Sequence, residues 1–138
     1  MIDITETDDR QACYALRHTV FVQEQGYTAE GEVDALDPLS HHLLAQQNGT
    51  PVATARVYIA EGTAKIGRVC VLKELRGTGL GADLIRAAVE LATRQGADHA
   101  ILGAQVHAIG FYAKLGFEPY GHPYDDEGEP HQMMQRTL

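Results

Sequence analysis

Apolar and polar residues alternate from Ile2 to Thr5, a period of two that predicts a short strand. A four-residue recurrence follows at Ala12, Leu16 and Val20, which predicts a helix capped by Asp8 or Asp9 and finished before Gly26. The acidic stretch from Glu30 to Asp37 reads as a loop or a short helix. His42 to Gln47 and Pro51 to Ala60 flank Asn48-Gly49, a dipeptide that supplies the positive φ angles of a tight hairpin turn. Glu61-Gly62 turns the chain again into Ala64 to Leu72, so three antiparallel strands are expected in a row. From there the period lengthens. Leu80, Leu84, Ile85, Ala88, Leu91 and Ala92 form one face of a helix running from Ala82 to Gln95, with Gly96 as its stop. Ala100 to Val106 is apolar enough to be a central strand buried on both faces. A short helix, Ala108 to Leu115, ends at Gly116; Phe117 opens another strand, Gly121 to Pro130 is a polar loop, and His131 to Leu138 is a final strand. The order mixes α and β within one domain over residues 1–138, with no repeat, linker or low-complexity tract.

Composition narrows the class of protein. A hydrophobic content of 44% in 138 residues suffices for one ordinary core. Cys13 and Cys70 cannot make a disulfide framework, and Cys70 lies in an apolar run where a small buried thiol is expected. The first residues carry acids where a secretory leader needs cations, and no run approaches membrane-spanning length, so a cytoplasmic protein with no membrane partner is expected. A net charge of −8 argues against nucleic acid as a partner.

The chemistry concentrates at Arg76-Gly77-Thr78-Gly79-Leu80-Gly81, between the apolar run Ile66 to Leu72 and the helix. A glycine-rich turn there aims backbone N–H groups at one spot, where the helix dipole also favours an anion. Arg76 is expected to add a forked cation for phosphate oxygens. The same glycines satisfy a loose dinucleotide fingerprint, but the motif falls past the middle of the chain. Asp98, moreover, precedes the next strand where that fold needs an acid closing it. A nucleoside-triphosphate loop is excluded because no Gly-Lys-Ser/Thr follows.

This turn, together with Ala108-Ile109-Gly110-Phe111-Tyr112-Ala113-Lys114-Leu115-Gly116-Phe117 further along, resembles the GNAT superfamily of acyl-CoA-dependent N-acetyltransferases. The ends, Val20 to Gly26 and Pro130-His131, are similar to its small ElaA-like branch. The resemblance implies a mixed, mostly antiparallel sheet flanked by helices and splayed at the acetyl-CoA site. It implies that Val69, Cys70 and Val71 present backbone groups to the pantetheine arm. The pyrophosphate is expected on the N–H groups of Arg76, Gly77, Thr78, Gly79, Leu80 and Gly81. Gln105 stands where the family often has an asparagine near the cosubstrate. Tyr112 matches the general acid that protonates the departing CoA thiolate, and Phe111, Leu115 and Phe117 are assigned to the core.

An alkyl ammonium with a pKa of about 10.4 is neutral in only about one molecule in a thousand near pH 7.4, so a general base is expected. His131 is the first choice, with Glu24 and Glu32 as alternatives. His41-His42, His107 and His122 match no zinc spacing, so no metal is expected. Charge is uneven along the chain. Lys65 to Arg86 holds five cations against two acids, whereas Glu24 to Asp37 and Glu118 to His131 each hold five acids and no Lys or Arg. A small-molecule or peptide amine acceptor carrying positive charge is therefore expected, attracted by both acidic segments, with the basic segment facing CoA. A catalytically silent acyl-CoA-binding module is the alternative function, since it would keep the cradle without needing Tyr112. Oligomeric state stays open, a homodimer included.

Overall fold

The computed structural model describes all 138 residues. Eight strands form one sheet in the order β1-β2-β3-β4-β5-β8-β6, with β7 also paired to β8. The strands are β1 (Ile2–Thr7), β2 (His41–Gln47), β3 (Thr50–Ala60), β4 (Thr63–Val71), β5 (His99–Gln105), β6 (Glu118–Pro119), β7 (Tyr124–Asp126) and β8 (Glu129–Thr137). Every pairing is antiparallel except β4 with β5. That one parallel pair needs a crossover, and α3 (Leu80–Arg94) makes it.

Side-chain alternation divides the sheet into two packed faces. Leu43 and Ala45 of β2 join Ala64 and Ile66 of β4 and the face Leu80, Leu84, Ile85, Ala88, Leu91 and Ala92 of α3 in the main core. These six helical residues are the ones the sequence period selects. Leu44, between Leu43 and Ala45, points the other way and packs with Cys13, Leu16 and Val20 under α1 (Arg10–Arg17). Cys70 joins this second cluster although Ala64 and Ile66, at the same parity, face α3. A bulge between β3 and β4 is the cause: Arg56 pairs with Gly67 but Thr54 pairs with Cys70, and Arg68 takes a φ of 52° to absorb the extra residue.

Three expectations change. The first helix begins as predicted, with the Asp9 side chain accepting the Ala12 N–H at 3.1 Å, but from His18 to Glu24 it winds as a π-helix. That wider turn carries Phe21 inward and leads into Gln25 and Tyr27. The polar segment after Gly121 is not all loop: Glu127-Gly128 turns β7 back onto β8, with φ values of 50° and 87°. The same dipeptide marks the turn at Glu61-Gly62, so the signal was available. Finally, β5 is buried on one face only, through Ala100, Leu102 and Ala104, while Gly103 is exposed. A short helix α2 (Ala29–Glu32) and a helix α4 (Ile109–Ala113) complete the fold.

Candidate active site

The parallel pair β4–β5 is in register only from Thr63 to Lys65, opposite His99 to Ile101. Beyond Lys65 the two strands diverge, so the β5-facing edge of β4 lacks a partner from Ile66 to Val71. Val69, Cys70 and Val71 lie on this free edge; Cys70 and Val71 are paired on the other side to Thr54 and Ala53 of β3. An extended chain laid in the gap would meet N–H and C=O groups that no strand pairs, as another strand would, up to the Val71 carbonyl, which accepts from Arg76.

The cradle follows at the end of β4. Gly77 and Gly79 have φ of 81° and 89°, a region that side chains rarely adopt, and a Cβ at either would meet nothing within 4 Å. The space above the turn is thus open. Thr78 turns its hydroxyl inward to donate to the Leu75 carbonyl at 2.6 Å. No side chain caps α3, whose first internal bond is Asp83 N–H to Gly79 O at 3.1 Å, leaving the first-turn N–H groups of Leu80, Gly81 and Ala82 for an anion. The donor set fits a pyrophosphate.

Arg76 contributes differently from the sequence expectation. Its Nε donates to the Val71 carbonyl at 3.0 Å and its fork grips Glu24, with Nη2 to Oε1 at 2.8 Å. The side chain therefore ties the cradle to the end of the π-helix, and its backbone N–H is taken by the Lys73 carbonyl at 3.3 Å, so neither is left for the phosphate expected there. Two other cations of this segment are similarly engaged, Arg68 with Glu32 and Asp34 and Arg86 with Asp83, while Lys73 has no ion-pair partner. Lys65, at the last paired position of β4, lines the cavity described next, so the basic segment does not face one ligand as a block. Phe111, expected in the core, is 40% exposed and its ring covers Gly81, where a Cβ would come within 3.5 Å of Cζ. Leu115 and Phe117 are buried as expected.

The splay opens into a cavity of about 380 Å³ that reaches Val69, Gln105, Tyr112 and His131. Tyr112 is held by edge-to-face contacts with Phe111 and Phe117, at centroid distances of 5.0 and 6.2 Å. Burial pushes its hydroxyl up to about 12, so it stays protonated at any working pH. On the other side, strand register sets His131 opposite Gln105. Gln105 Nε2 donates to Gln25 Oε1 at 3.2 Å and to the Tyr27 hydroxyl at 3.5 Å, so the π-helix and its following turn are tied to β5. His131 is 7% exposed, and its Nδ1 lies 2.9 Å from the Glu129 carbonyl. A carbonyl only accepts, which assigns the ring proton to Nδ1 and leaves the Nε2 lone pair free.

The two alternative bases are both committed elsewhere. Glu24 is held by Arg76, whose hydrogen bond lowers its carboxyl below the usual range. Glu32 receives Arg17 Nε on both oxygens, at 3.0 and 2.9 Å, and Arg68 at 3.0 Å. These contacts belong to a network that sequence reasoning missed. Arg17, 1% exposed, also forks onto Asp37, 0% exposed, at 2.7 and 3.1 Å, while Arg56 reaches Asp34 at 2.7 Å and Asp37 at 3.3 Å. Three arginines and three acids match. Burial alone would raise Asp37, but the Arg17 fork and the Asp34 amide outweigh it and hold the carboxyl at about 2. The acids from Glu24 to Asp37 are therefore a buttress for the cavity wall, with Glu30 alone lacking a charged or hydrogen-bonding partner. A sequence signal existed: Arg17 falls among Cys13, Leu16 and Val20, and Arg56 sits inside Ala53-Thr54-Ala55-Arg56-Val57, where an unpaired charge could not be buried.

Burial pushes the Cys70 thiol up to about 12 and raises Cys13 as well, so neither is a nucleophile at neutral pH. No group of three or more His, Cys, Asp and Glu side chains is arranged to hold a metal, and no helix is long and apolar enough to cross a membrane.

Comparison with known proteins bears on this site. Residues 6–117 match the model of the Acetyltransferase (GNAT) family. The protein ElaA of Escherichia coli (strain K12) is 35% identical over 132 residues, covering 92% of this chain and 86% of its own. The crystal structure of Escherichia coli ElaA superposes with a TM-score of 0.88 over 99% of each chain. An acyl-CoA N-acyltransferase from Pseudomonas aeruginosa superposes with a TM-score of 0.89 at 33% identity, again over 99% of each. At 18% identity the same fold recurs, with a TM-score of 0.78, in a GNAT family acetyltransferase from Elizabethkingia anophelis with acetyl-CoA bound, over 99% of this chain and 98% of that one.

Proposed function

The chain belongs to the GNAT family of acetyltransferases, and on that premise we propose that it transfers the acetyl group of acetyl-CoA to a primary amine by direct attack, with Tyr112 as general acid and His131 as general base. One observation carries this reading: the cavity at the β4–β5 splay is lined by the free edge of β4, by Tyr112 and by His131 together. The donor's pyrophosphate rests on the uncapped start of α3 and its pantetheine arm runs along Val69 to Val71, which brings the thioester to the cavity. Two protons leave the acceptor ammonium in all. His131 Nε2 takes them in turn and returns them to solvent, and the freed lone pair attacks the thioester carbon. The C–S bond then breaks, and the CoA sulfur takes a proton from Tyr112, whose phenolate is reprotonated from solvent.

The proton transfer from Tyr112 is reasonable despite its high pKa. A thiol near 8.5 in water would be a poor match for a phenol near 12, by roughly 5 kcal/mol. Desolvation raises a thiol as it raises a phenol, so exclusion of water from the cavity narrows that gap. Direct transfer is favoured because neither cysteine is available as a thiolate to carry the acetyl group.

The acceptor is a cationic amine. Of the two acidic segments only the second supports this, since Asp125, Asp126, Glu127 and Glu129 have no Lys or Arg partner, and Asp126 and Glu127 line the cavity. A panel of amines with acetyl-CoA, read by release of free CoA thiol, is the test. Saturable release with alkylamines or basic peptides is expected. Acetyl-CoA binding with no thiol release for any amine would leave an acyl-CoA-binding module in its place.

A further inference from the structure

Tyr124 of β7 lies against His131, their ring centroids 5.5 Å apart and the planes inclined by 30°. Its hydroxyl sits directly over Gly103 of β5, where a Cβ would be 2.2 Å away, and contacts Met133 Sδ at 3.5 Å. Glycine at 103 is thus what lets this ring lie on the exposed face of β5. On the same strand as Tyr124, Asp126 reaches toward the other ring nitrogen of His131: Oδ2 is 4.0 Å from Nε2. That separation is too long for a direct hydrogen bond. It suits a third nitrogen seated between the two atoms, at about 2.8–3.0 Å from each.

Asp126 also differs from the acids across the cavity. Glu24, Glu32, Asp34 and Asp37 each have an arginine, whereas Asp126 has neither Lys nor Arg and faces the cavity with His131, Tyr124 and Tyr27 around it. Burial raises the Tyr27 and Tyr124 hydroxyls, and the Asp126 charge raises both further, consistent with a carboxylate between the two rings. His131 itself is more than nine-tenths buried with Nε2 making no hydrogen bond in the chain. A buried lone pair, an unpaired carboxylate 4 Å away and two tyrosine rings make a site built for an ammonium group.

We propose that Asp126 is the acceptor-binding carboxylate: the substrate ammonium nitrogen is held between Asp126 Oδ2 and His131 Nε2, with Tyr124 and Tyr27 as its walls. This rests on the acetyl-transfer reading above. Before attack the ammonium gives one N–H proton to Nε2 and keeps a second on Asp126; after attack the remaining surplus proton leaves by the same histidine. No oxidant or metal enters the balance. The site selects amines on an unbranched alkyl chain, because Tyr124 fills the floor over Gly103.

Butylamine and 1,4-diaminobutane are the probes, with CoA release and the His131 ring resonances as separate readouts. Titrating butylammonium into the CoA-bound protein should shift the His131 ring signals, and Asp126→Asn should weaken that binding by about tenfold to a hundredfold. In turnover, Asp126→Asn should raise KM for the amine by a similar factor with little change in KM for acetyl-CoA. Asp126→Glu should recover part of the loss, and Tyr124→Ala should lower amine affinity as well. Unchanged amine affinity in folded Asp126→Asn would overturn the assignment. Ring shifts that need Asp126 but come with no CoA release would retain it and refute the transfer reading, and silence in both readouts would refute both.

Discussion

Two single residues test the proposed transfer, one on the chemistry and one on donor binding. Tyr112 has its ring fixed by Phe111 and Phe117, while its hydroxyl makes no hydrogen bond within the chain. Removing the hydroxyl alone leaves that packing intact. Tyr112→Phe is therefore expected to keep acetyl-CoA affinity and thermal stability but to lower kcat by roughly 10²–10⁴-fold, measured as CoA release with the best amine of the panel. Turnover equal to wild type would return Tyr112 to a packing role. The corresponding donor-side residue is Gly79. Its φ of 89° and the open space above it mean that Gly79→Asp adds backbone strain and a carboxylate where the pyrophosphate should rest. Calorimetry should then show at least a tenfold loss of acetyl-CoA affinity in a folded variant, as expected for one lost charge-assisted contact.

At the level of elements, the cavity wall from Glu24 to Leu39 has little regular structure and is held by ion pairs. Arg17 on α1 joins Glu32 and Asp37, and Arg56 and Arg68 bring β3 and β4 to the same acids. Removing one partner from such a buried set leaves uncompensated charge. Arg17→Met should cost about 3–5 kcal/mol in urea or thermal unfolding, far more than an exposed pair such as Arg94–Glu90. The network also predicts acid sensitivity. Asp37 titrates at about 2 folded against about 3.9 unfolded, so its stabilisation of about 2.6 kcal/mol is complete above about pH 5 and drains away as the pH falls through 4 toward 2. Asp34, lowered by Arg56 against the opposing effect of burial, acts in the same direction. Unfolding free energy measured from pH 6 down to pH 2 should fall most steeply below pH 4, and Asp37→Asn should flatten that fall.

Over the whole molecule, charge is sorted by the fold and not by the chain. A net charge of −8 would suggest a uniformly acidic surface, but the acids of the first wall are matched by arginines. Around the cavity, the acids left without a Lys or Arg partner are those of the β7–β8 hairpin, where Asp126 and Glu127 line its mouth. Such a lip concentrates cations, and the effect fades as salt shortens the screening length from about 10 Å at 0.1 M to about 3 Å at 1 M. The KM of a cationic acceptor should rise over that range while the KM of a neutral hydroxylamine analogue stays nearly constant. Equal salt dependence for both would mean that the hairpin does not steer the acceptor.

The sequence by itself determined the elements and the cradle, because both are written in neighbouring residues. Hydrophobic period gives the α3 face, Asn48-Gly49 and Glu61-Gly62 give their turns, and the glycines at 77 and 79 give a helix start open to an anion. The small β7–β8 hairpin was equally local, marked by Glu127-Gly128, though it lies inside a polar stretch that masks it. Tertiary structure decided everything that depends on which distant groups meet. Arg17 and Asp37 are 20 positions apart, Arg68 and Asp34 are 34, and Arg76 and Glu24 are 52, so an acidic stretch becomes a neutral buttress and a phosphate-binding fork becomes a brace. The splay at Lys65 and the meeting of Tyr112, His131 and Asp126 around one cavity arise in the same way. A charge acquires its role from the partner that neutralises it or is missing, and chain order does not encode that partner.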